Sequence, residues 1–212
     1  MNILAGLSTP TSGDATVNGK DIYKISHPSE LNLGYLPEDP RFYPWLNAFE
    51  TLEYLANNNG KKTSRESLTD LLEWGGLKNA STRKVGGFSR GMKQRLGICS
   101  AMIHNPQLLI LDEPSSALDP QGRSDVLNLI IDLKKMGKTI IFSSHILTDV
   151  ERVCDTIGII NSGKMVLEKP LEDMQRENIH PVFDIELKDF VNQEILNTIN
   201  SNENILSIEV NA

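Results

Sequence analysis

Two adjacent carboxylates, Asp112 and Glu113, directly follow the uninterrupted apolar run Leu108–Leu111 and precede Pro114. A short apolar run of this kind predicts a strand buried on both faces, as in a parallel sheet covered by helices. Open α/β sheets bind ligands at the carboxyl ends of such strands. There, the first carboxylate can hold Mg²⁺ on a nucleotide phosphate, and the second can accept a proton from an attacking water. A core strand that merely ends in acidic loop residues would give the same pattern, so the motif alone leaves both interpretations open.

Composition limits the kind of protein this can be. Of the 212 residues, 39% are hydrophobic and 23% are charged, with a net charge of −7, which is typical of a folded domain. The acidic balance and the lack of a basic patch predict no nucleic-acid partner. We expect neither a membrane span nor a signal peptide. The two cysteines, Cys99 and Cys154, lie far apart in apolar helical patterns, which favours buried free thiols over a disulfide or a zinc site.

The N-terminal part of the chain predicts turns and short strands. Residues 1–7 are typical of the end of an amphipathic helix, although no N-cap precedes them. The pair Asn18-Gly19 is a strong signal for a β-hairpin. Leu31–Leu36 predicts the next strand. We therefore expect the sheet to begin before the helical part of the chain.

The middle of the chain predicts three helices. A capping-box pattern, Asn47 with Glu50, precedes the first helix, and Ser64 can cap the second. The third helix is predicted over Arg90–His104, with apolar residues on one face. We expect these helices to form a subdomain, residues 39–105, inserted between strands of the sheet.

The sheet is predicted to resume with the strand that ends at Asp112. Asp119 can cap the next helix, with Pro120 at its first position. Thr139–Phe142 predicts a second buried strand, and Ser-Ser-His follows it directly at positions 143–145. The remaining predictions are, in chain order, a hairpin of strands 156–160 and 164–167, a short helix after Pro170, a strand over Val182–Leu187, a helix from about Asn192 and a strand over Ile205–Val210.

Five stretches together resemble the motifs of ATP-binding-cassette (ABC) ATPases, in the family's order and at about its spacing. Gly34–Glu38 is similar to the strand end that leads to the Q-loop, and Phe88–Arg95 resembles the signature stretch. Leu108–Pro114 resembles the Walker B motif, Ser116–Pro120 the D-loop, and Ser143–His145 the switch-histidine segment. Each motif alone is weak or moderate, but five in register make coincidence a poor explanation.

The resemblance implies a fold and an activity. It implies an α/β core of the P-loop NTPase (ABC ATPase) type, residues 1–38 and 106–170, with the inserted helical subdomain and an accessory segment, residues 171–212. It also implies an ATPase that uses ATP and Mg²⁺, pairs with a second cassette, and couples hydrolysis to a membrane permease. Such a subunit would be cytoplasmic, held through the permease at the inner face of the cell membrane. The glutamate at position 38 resembles an exporter-like subgroup, which favours export.

The resemblance also implies roles for single residues. Asp112 would help to hold Mg²⁺, Glu113 would be the general base, and His145 would contact the γ-phosphate and keep base and water in line. A satisfied core or loop histidine is the alternative for His145. Glu38 stands where many members carry glutamine; it would offer an oxygen to Mg²⁺ or water but would also add negative charge near phosphate.

The signature and D-loop residues would serve a partner. In the resembling family, two cassettes pair head to tail, so Ser89 and Gly91 would face the partner's ATP and Asp119 would reach across the same interface. Arg90 replaces a usual glycine; it would either add a cation near the γ-phosphate or lie on the rim. Ser89 and Asp119 can also cap helices, which alone would explain them.

The loop before the first helix would, by the same resemblance, touch the permease. It spans residues 39–46 and carries three aromatic residues, Phe42, Tyr43 and Trp45. Exposed aromatic side chains fit a docking surface. Packing inside the helical subdomain explains them equally well, so both interpretations stay open.

The sequence departs from the family pattern at the phosphate-binding loop. No G-x-x-x-x-G-K-[ST] occurs, and we expect the chain to begin just after that loop, without the first strands of the cassette. Each lost charge-assisted hydrogen bond to phosphate would cost about 1.5–3 kcal/mol, so ATP binding in the chain's own site is doubtful. The alternative functions are a non-hydrolysing cassette fragment that lends its signature motif to a partner and, less favoured, a soluble ABC-type factor in translation or repair.

Overall fold

The computed structural model describes residues 1–25, 28–58 and 63–178. Backbone contacts divide the chain into two units, Met1–Leu171 and Glu172–Ala212. In the second unit, only its short N-terminal helix is described. The strands predicted over 182–187 and 205–210 and the helix predicted from 192 lie outside the described residues.

The helices and strands follow the predicted order, with one additional helix, Leu147–Val153, that was not predicted. They are β1 (Thr16–Val17), β2 (Lys20–Asp21), β3 (Leu33–Leu36), α1 (Ala48–Asn58), α2 (Arg65–Trp74), α3 (Arg90–Met102), β4 (Leu108–Leu111), α4 (Pro120–Lys135), β5 (Thr139–Phe142), α5 (Leu147–Val153), β6 (Thr156–Asn161), β7 (Lys164–Pro170) and α6 (Leu171–Asn178). Within the described residues, no helix is long and apolar enough to cross a membrane.

A parallel sheet of β3, β4 and β5 lies at the centre, with β4 in the middle. Leu109, Ile110 and Leu111 of β4 are fully buried. Continuous apolar side chains are what a strand needs when both of its neighbours are strands and both of its faces are covered. The prediction of a buried parallel strand before Asp112 is confirmed.

Strand β5 is less buried than its apolar sequence predicts. Thr139 and Ile141 are exposed, Ile141 to 42%, whereas Ile140 and Phe142 pack against the core. In the described part of the chain β5 pairs with β4 alone, so it is an edge strand with one covered face. The prediction of a buried strand was wrong in this respect, because an apolar run does not reveal which of its faces has a partner layer.

Strand β3 begins at Leu33, two residues later than predicted. Residues 28–31 form a 3₁₀ turn instead, and Asn32 has a positive φ of 49°, which ends the extended conformation there. Leu31 is fully buried against Val17 of the β1–β2 hairpin. Its apolar character therefore reflects hairpin packing rather than membership of the sheet.

Residues 1–7 form one closed turn rather than a helix. The Leu7 N–H donates to the Asn2 carbonyl at 2.9 Å and the Gly6 N–H to the Ile3 carbonyl at 3.0 Å. Gly6 has a φ of 72°. These bonds and the left-handed glycine are the Schellman arrangement that ends helices, so the predicted helix end is present as a single turn.

Both predicted hairpins are confirmed. Asn18 and Gly19 have φ values of 51° and 74°, and Ser162 and Gly163 have 51° and 75°. Two successive residues with positive φ form the tight turn that matches the twist of antiparallel strands.

The predicted helix caps are also present: Asn47 and Glu50 exchange side-chain-to-backbone hydrogen bonds at 2.8 Å.

Helix α3 belongs to both hydrophobic cores. With α1 and α2 it buries Leu96 and Cys99 in one cluster, and with the sheet and α4 it buries Ile98 and Met102 in the other. Burial raises the pKa of the Cys99 thiol to about 12, so this thiol is protonated and inert, as predicted. Cys154 is also free but only half-buried, and it follows α5 in extended conformation rather than lying in a helix.

Glycine lets α3 approach the sheet closely. A Cβ on Gly34 of β3 would collide with the backbone carbonyl of Ala101 and lie 2.8 Å from Leu109 Cδ2. Neither the helix backbone nor the buried leucine can yield without repacking. Gly34 therefore fixes the distance between the sheet and α3.

We expect Gly34→Ala to destabilise the chain by about 1–3 kcal/mol through overpacking, measured by urea unfolding followed by circular dichroism. Gly91→Ala is the matched control, since its Cβ would meet Gly122 Cα at an ordinary 3.6 Å. Equal loss of stability in the two variants would show that the close approach at Gly34 is not a constraint.

Candidate active site

The two predicted chemical segments leave the sheet side by side. Leu111 of β4 pairs with Phe142 of β5 at the carboxyl edge. Asp112 therefore emerges next to Ser143, and the predicted proximity of the two segments follows from parallel pairing alone.

Glu113 and His145 are in direct contact. The His145 Nδ1 atom lies 2.9 Å from Glu113 Oε2. The His145 side chain is 68% exposed and that of Glu113 is 22% exposed, so His145 is not a core histidine. A carboxylate and an imidazole that share a hydrogen bond at a strand edge can together orient a water and take its proton.

The Ser143 hydroxyl joins the two carboxylate residues. It donates to Asp112 Oδ1 at 2.7 Å and accepts from the Glu113 backbone N–H at 2.9 Å. Glu113 has a φ of 45°, a conformation that costs energy for a residue with a side chain. The Ser143 bond helps to hold Glu113 in this conformation. Apart from the position of Ser143 directly after β5, no signal in the sequence predicts this role.

Asp112 is suited to a metal that a nucleotide shares. Its Oδ1 accepts from Ser143, which leaves Oδ2 for a cation or a water. No group of three or more His, Cys, Asp or Glu side chains within the described ranges could hold a metal alone. Mg²⁺ usually takes one or two carboxylates together with phosphates and waters, so the donor set fits Mg²⁺ held mainly by its nucleotide.

Tyr35 lies beside the same edge, although sequence reasoning gave it no role. Burial and, secondly, the negative charge of Asp112 raise the pKa of its hydroxyl. That hydroxyl donates to Asn2 Oδ1 at 2.6 Å. Tyr35 is therefore a neutral neighbour of Asp112.

The predicted signature residues form a second group at the start of α3. The Ser89 hydroxyl caps this helix, accepting from the Met92 N–H at 3.2 Å. The Arg90 Nε donates to the Ser116 carbonyl at 3.2 Å, and the Ser116 N–H donates to the Glu113 carbonyl at 3.1 Å. Arg90 thus links the start of α3 to the loop that carries Glu113.

The starts of α3 and α4 lie together. Gly91 is buried, and Gly122 Cα lies 3.6 Å from where its Cβ would be. Asp119 is exposed and caps α4, with Oδ1 accepting from the Gly122 N–H at 3.3 Å. The two helix N-termini therefore lie side by side, and the backbone N–H groups of a first helical turn favour an anion.

Glu38 is exposed, and its backbone carbonyl accepts from Gln94 Nε2 at 2.8 Å. Gln94 is 1% exposed and lies on α3. It fixes the turn after β3 to the signature helix, a role that sequence reasoning missed. The sequence contains one signal that could have predicted this role: Gln94 is a polar residue at a position of the Phe88–Arg95 stretch that faces the buried side of the helix.

One near-match to a phosphate-binding loop is excluded by its geometry. Gly158–Lys164 reads G-x-x-x-x-G-K but is followed by Met165. It spans the β6–β7 hairpin, whereas a phosphate-binding loop joins a strand to a helix. These residues therefore form no phosphate cradle, and Lys164 is the first residue of strand β7.

We expect Ser143→Ala to destabilise the chain by about 1–3 kcal/mol, because the Glu113 N–H loses its partner. Urea unfolding of the full chain measures this change. Ser116→Ala is the control, since Ser116 makes its loop contacts through its backbone. If Ser143→Ala were as stable as Ser116→Ala, the hydrogen bonds of the Ser143 hydroxyl would contribute nothing to the free energy of unfolding.

Comparison with known proteins places this chain in a family. A family model described as ABC transporter matches residues 1–116. The uncharacterized ABC transporter ATP-binding protein YxlF of Bacillus subtilis is 39% identical over 89% of this chain and 63% of its own length. The bacitracin transport ATP-binding protein BcrA of Bacillus licheniformis is 40% identical over 84% and 58%. The lantibiotic transport ATP-binding protein SrtF of Streptococcus pyogenes is 39% identical over 86% and 77%.

A solved structure agrees with the fold. The dimeric post-hydrolysis state of the ATP-binding cassette MJ0796, bound to ADP and Pi, superposes with a TM-score of 0.70 at 23% identity, covering 80% of this chain and 78% of that one. This confirms the predicted α/β fold of the ABC ATPase type. The chain spans between half and two thirds of the length of the first curated relatives it matches. On the family model and the SrtF relative together, the chain belongs to the ABC transporter family, as an ATP-binding-cassette protein.

Proposed function

We propose that this chain is the ATP-binding and ATP-hydrolysing subunit of an export-type ABC transporter. The observation that carries the proposal is the Glu113–His145 contact of 2.9 Å beside Asp112. Relatives named for bacitracin and lantibiotic transport support a role in transport, and the resemblance of Glu38 to an exporter-like subgroup is the reason to propose export. The predicted division into a core, residues 1–38 and 106–170, a helical subdomain, residues 39–105, and an accessory segment, residues 171–212, is part of this proposal.

The side chains at the sheet edge would divide the chemistry between them. Bound ATP with Mg²⁺ would supply the phosphoryl group and the cation that neutralises it. Asp112 would hold the cation through the carboxylate oxygen that Ser143 leaves open. The Glu113 carboxylate would accept the proton of the attacking water, and His145 would keep that carboxylate aligned. A positioned base of this kind contributes about 10²–10⁴-fold to the rate.

The second group of residues would act on a partner's nucleotide. Ser89, Arg90, Gly91 and Asp119 lie at the open starts of α3 and α4, where backbone N–H groups favour phosphate. The bond from Arg90 Nε to Ser116 supports a place on the rim of this surface; the other guanidinium donors remain able to face phosphate. A second cassette, in a homodimer or heterodimer, is therefore the proposed partner.

The sequence given contains no G-x-x-x-x-G-K-[ST]. We infer that it does not bind ATP by itself in its own site, because backbone N–H groups and a lysine that hold phosphate are the main source of such affinity. Micromolar binding of ATP by the purified chain, measured by isothermal calorimetry, would contradict this inference.

We expect Glu113→Gln to lower ATP hydrolysis at least about 100-fold, since the amide cannot accept a proton. The assay uses the assembly isolated from the native source through a C-terminal tag, with phosphate release as the readout. Glu151→Gln is the control, because Glu151 is exposed on α5. Unchanged hydrolysis in Glu113→Gln would exclude Glu113 as the base.

A second candidate function, in which this chain lends its signature residues to a complete cassette, is supported by the places of Ser89 and Arg90 at the start of α3. Ser89→Asp tests it, because aspartate caps a helix as well as serine does but repels phosphate. Ser64→Asp at the cap of α2 is the control. Loss of hydrolysis in Ser89→Asp with normal hydrolysis in Glu113→Gln would select the lending function.

The proposed surface for the permease is the aromatic group Tyr43, Trp45 and Tyr54. The Tyr43 ring lies 5.0 Å from the Trp45 ring and 5.5 Å from the Tyr54 ring, and Trp45 is 63% exposed. Phe42, by contrast, packs against the core of the helical part. Packing inside the helical part therefore explains Phe42, whereas the docking interpretation stays a proposal for Tyr43 and Trp45. An exposed group of aromatic rings in contact with one another fits an apolar partner surface, and it would hold the subunit at the inner face of the cell membrane.

We expect Trp45→Ala to leave the fold intact and to reduce co-purification of a membrane subunit at least about tenfold, as truncation of a buried interface aromatic does. The amount of membrane protein that is retained with the tagged chain after detergent extraction is the measurement. Met165→Ala removes an equally exposed apolar side chain from the β6–β7 hairpin and serves as control. Equal retention in both variants would argue for another docking surface.

A further inference from the structure

The structure contains a buried polar group that the proposed chemistry does not use. Asp149 on α5 is 1% exposed, and so is Ser115, two residues after Glu113. A buried carboxylate is costly unless it is fully paired. From its contacts we propose that Asp149, with Ser115 and Arg123, is a positioning group that holds Glu113 and His145 against each other. The inference rests on the proposed function of that pair.

Every oxygen of the Asp149 carboxylate is used. The Ser115 hydroxyl donates to Oδ2 at 2.6 Å. The Arg123 guanidinium donates to Oδ1 through Nε at 2.7 Å and forms an ion pair with it at 2.5 Å through a terminal nitrogen. Arg123 also donates to the Thr148 hydroxyl at 2.8 Å. These directional contacts allow one arrangement of the group, and a small shift would leave buried charge without a partner.

The group joins the two segments that carry the proposed chemistry. Ser115 follows Glu113 by two residues, and Asp149 follows His145 by four. The segments 113–115 and 145–149 are therefore held by two contacts. The outer contact joins Glu113 to the exposed His145, and the inner contact, Ser115–Asp149, is buried. A hydrogen bond to the exposed His145 side chain competes with water, whereas the buried Ser115–Asp149 hydrogen bond does not. The buried contact therefore sets the distance between the segments.

Arg123 brings a third element to the group. It lies on α4, one turn after the cap Asp119, and its own N–H donates to the Asp119 carbonyl at 2.9 Å. The position of the α4 start is thereby tied to the position of Asp149. The positioning group thus connects three places at which the proposed function puts working residues: the loop after β4, the loop after β5 and the start of α4.

The test reads the Glu113–His145 contact directly, without nucleotide. The full chain is labelled with ¹⁵N at its four histidines, and the His145 ring nitrogen shifts are measured by NMR. Glu113→Gln gives the shifts that His145 shows without a carboxylate partner. Ser115→Ala removes only the inner hydroxyl, and Asp149→Asn keeps the shape of the side chain but removes its charge.

The control is Asp125→Asn, which weakens another Arg–Asp pair between helices, Arg95–Asp125 at 3.9 Å. We expect Ser115→Ala and Asp149→Asn to move the His145 shifts toward the Glu113→Gln values, and amide exchange in residues 113–118 and 144–147 to rise at least about fivefold relative to β4. Asp125→Asn should leave both readouts as in the wild type.

Each result decides the proposal. Wild-type His145 shifts in Ser115→Ala would overturn the proposal. This holds even if Asp149→Asn does not fold, because Ser115→Ala removes only one hydroxyl. Equal changes in Asp125→Asn would also overturn it, since they would indicate general loosening. Because no ATP is used, a failure of the proposed ATPase function would appear in the phosphate-release assay and not here.

Discussion

The parallel register of β4 against β5 is the constraint on which the site depends. Because Leu111 pairs with Phe142, the two segments that follow leave the sheet at neighbouring points, and Asp112, Glu113 and His145 come together without any long loop. The register does not fix distances of a few tenths of an ångström. Polar contacts beneath the edge do that: the Ser143 hydroxyl and, on our proposal, the buried Asp149 carboxylate. In the Glu113–His145 pair, His145 is thus exposed and Glu113 partly buried, whereas the groups that hold the pair are buried or half-buried.

Helix α3 is the second constraint, because it is shared by the two cores. Its sequence alternates small and large residues in a way that serves both sides: Gly97 lies against Leu36 of β3, while Leu96 and Cys99 pack with α1 and α2. Any movement of the helical part relative to the sheet must therefore move the start of α3, with Ser89 and Gly91. Two hydrogen bonds also fix the position of this helix: Gln94 bonds to the Glu38 carbonyl in the turn after β3, and Arg90 bonds to the Ser116 carbonyl in the loop that carries Glu113.

Local signals in the sequence predicted most elements, and non-local packing explains what they missed. Asn18-Gly19, the Asn47 capping box and the Asp119 cap each depend on residues a few positions apart, so the pattern contains the whole interaction. The exposure of β5 depends on which elements cover each face, and the role of Asp149 depends on partners on α4 and the β4 loop. Such contacts produce no periodic pattern of apolar residues that could be recognised in the sequence.

The helix caps show how stability and proposed function can occupy one residue. Ser89 and Asp119 each accept a hydrogen bond from the helix that they start, which suffices to explain them in an isolated chain. The same cap leaves the remaining N–H groups of that first turn directed outward, toward any anion that approaches. One residue can therefore both cap the helix and contact an anion. A serine-to-aspartate exchange separates them, since it preserves the cap and reverses the charge that the anion meets.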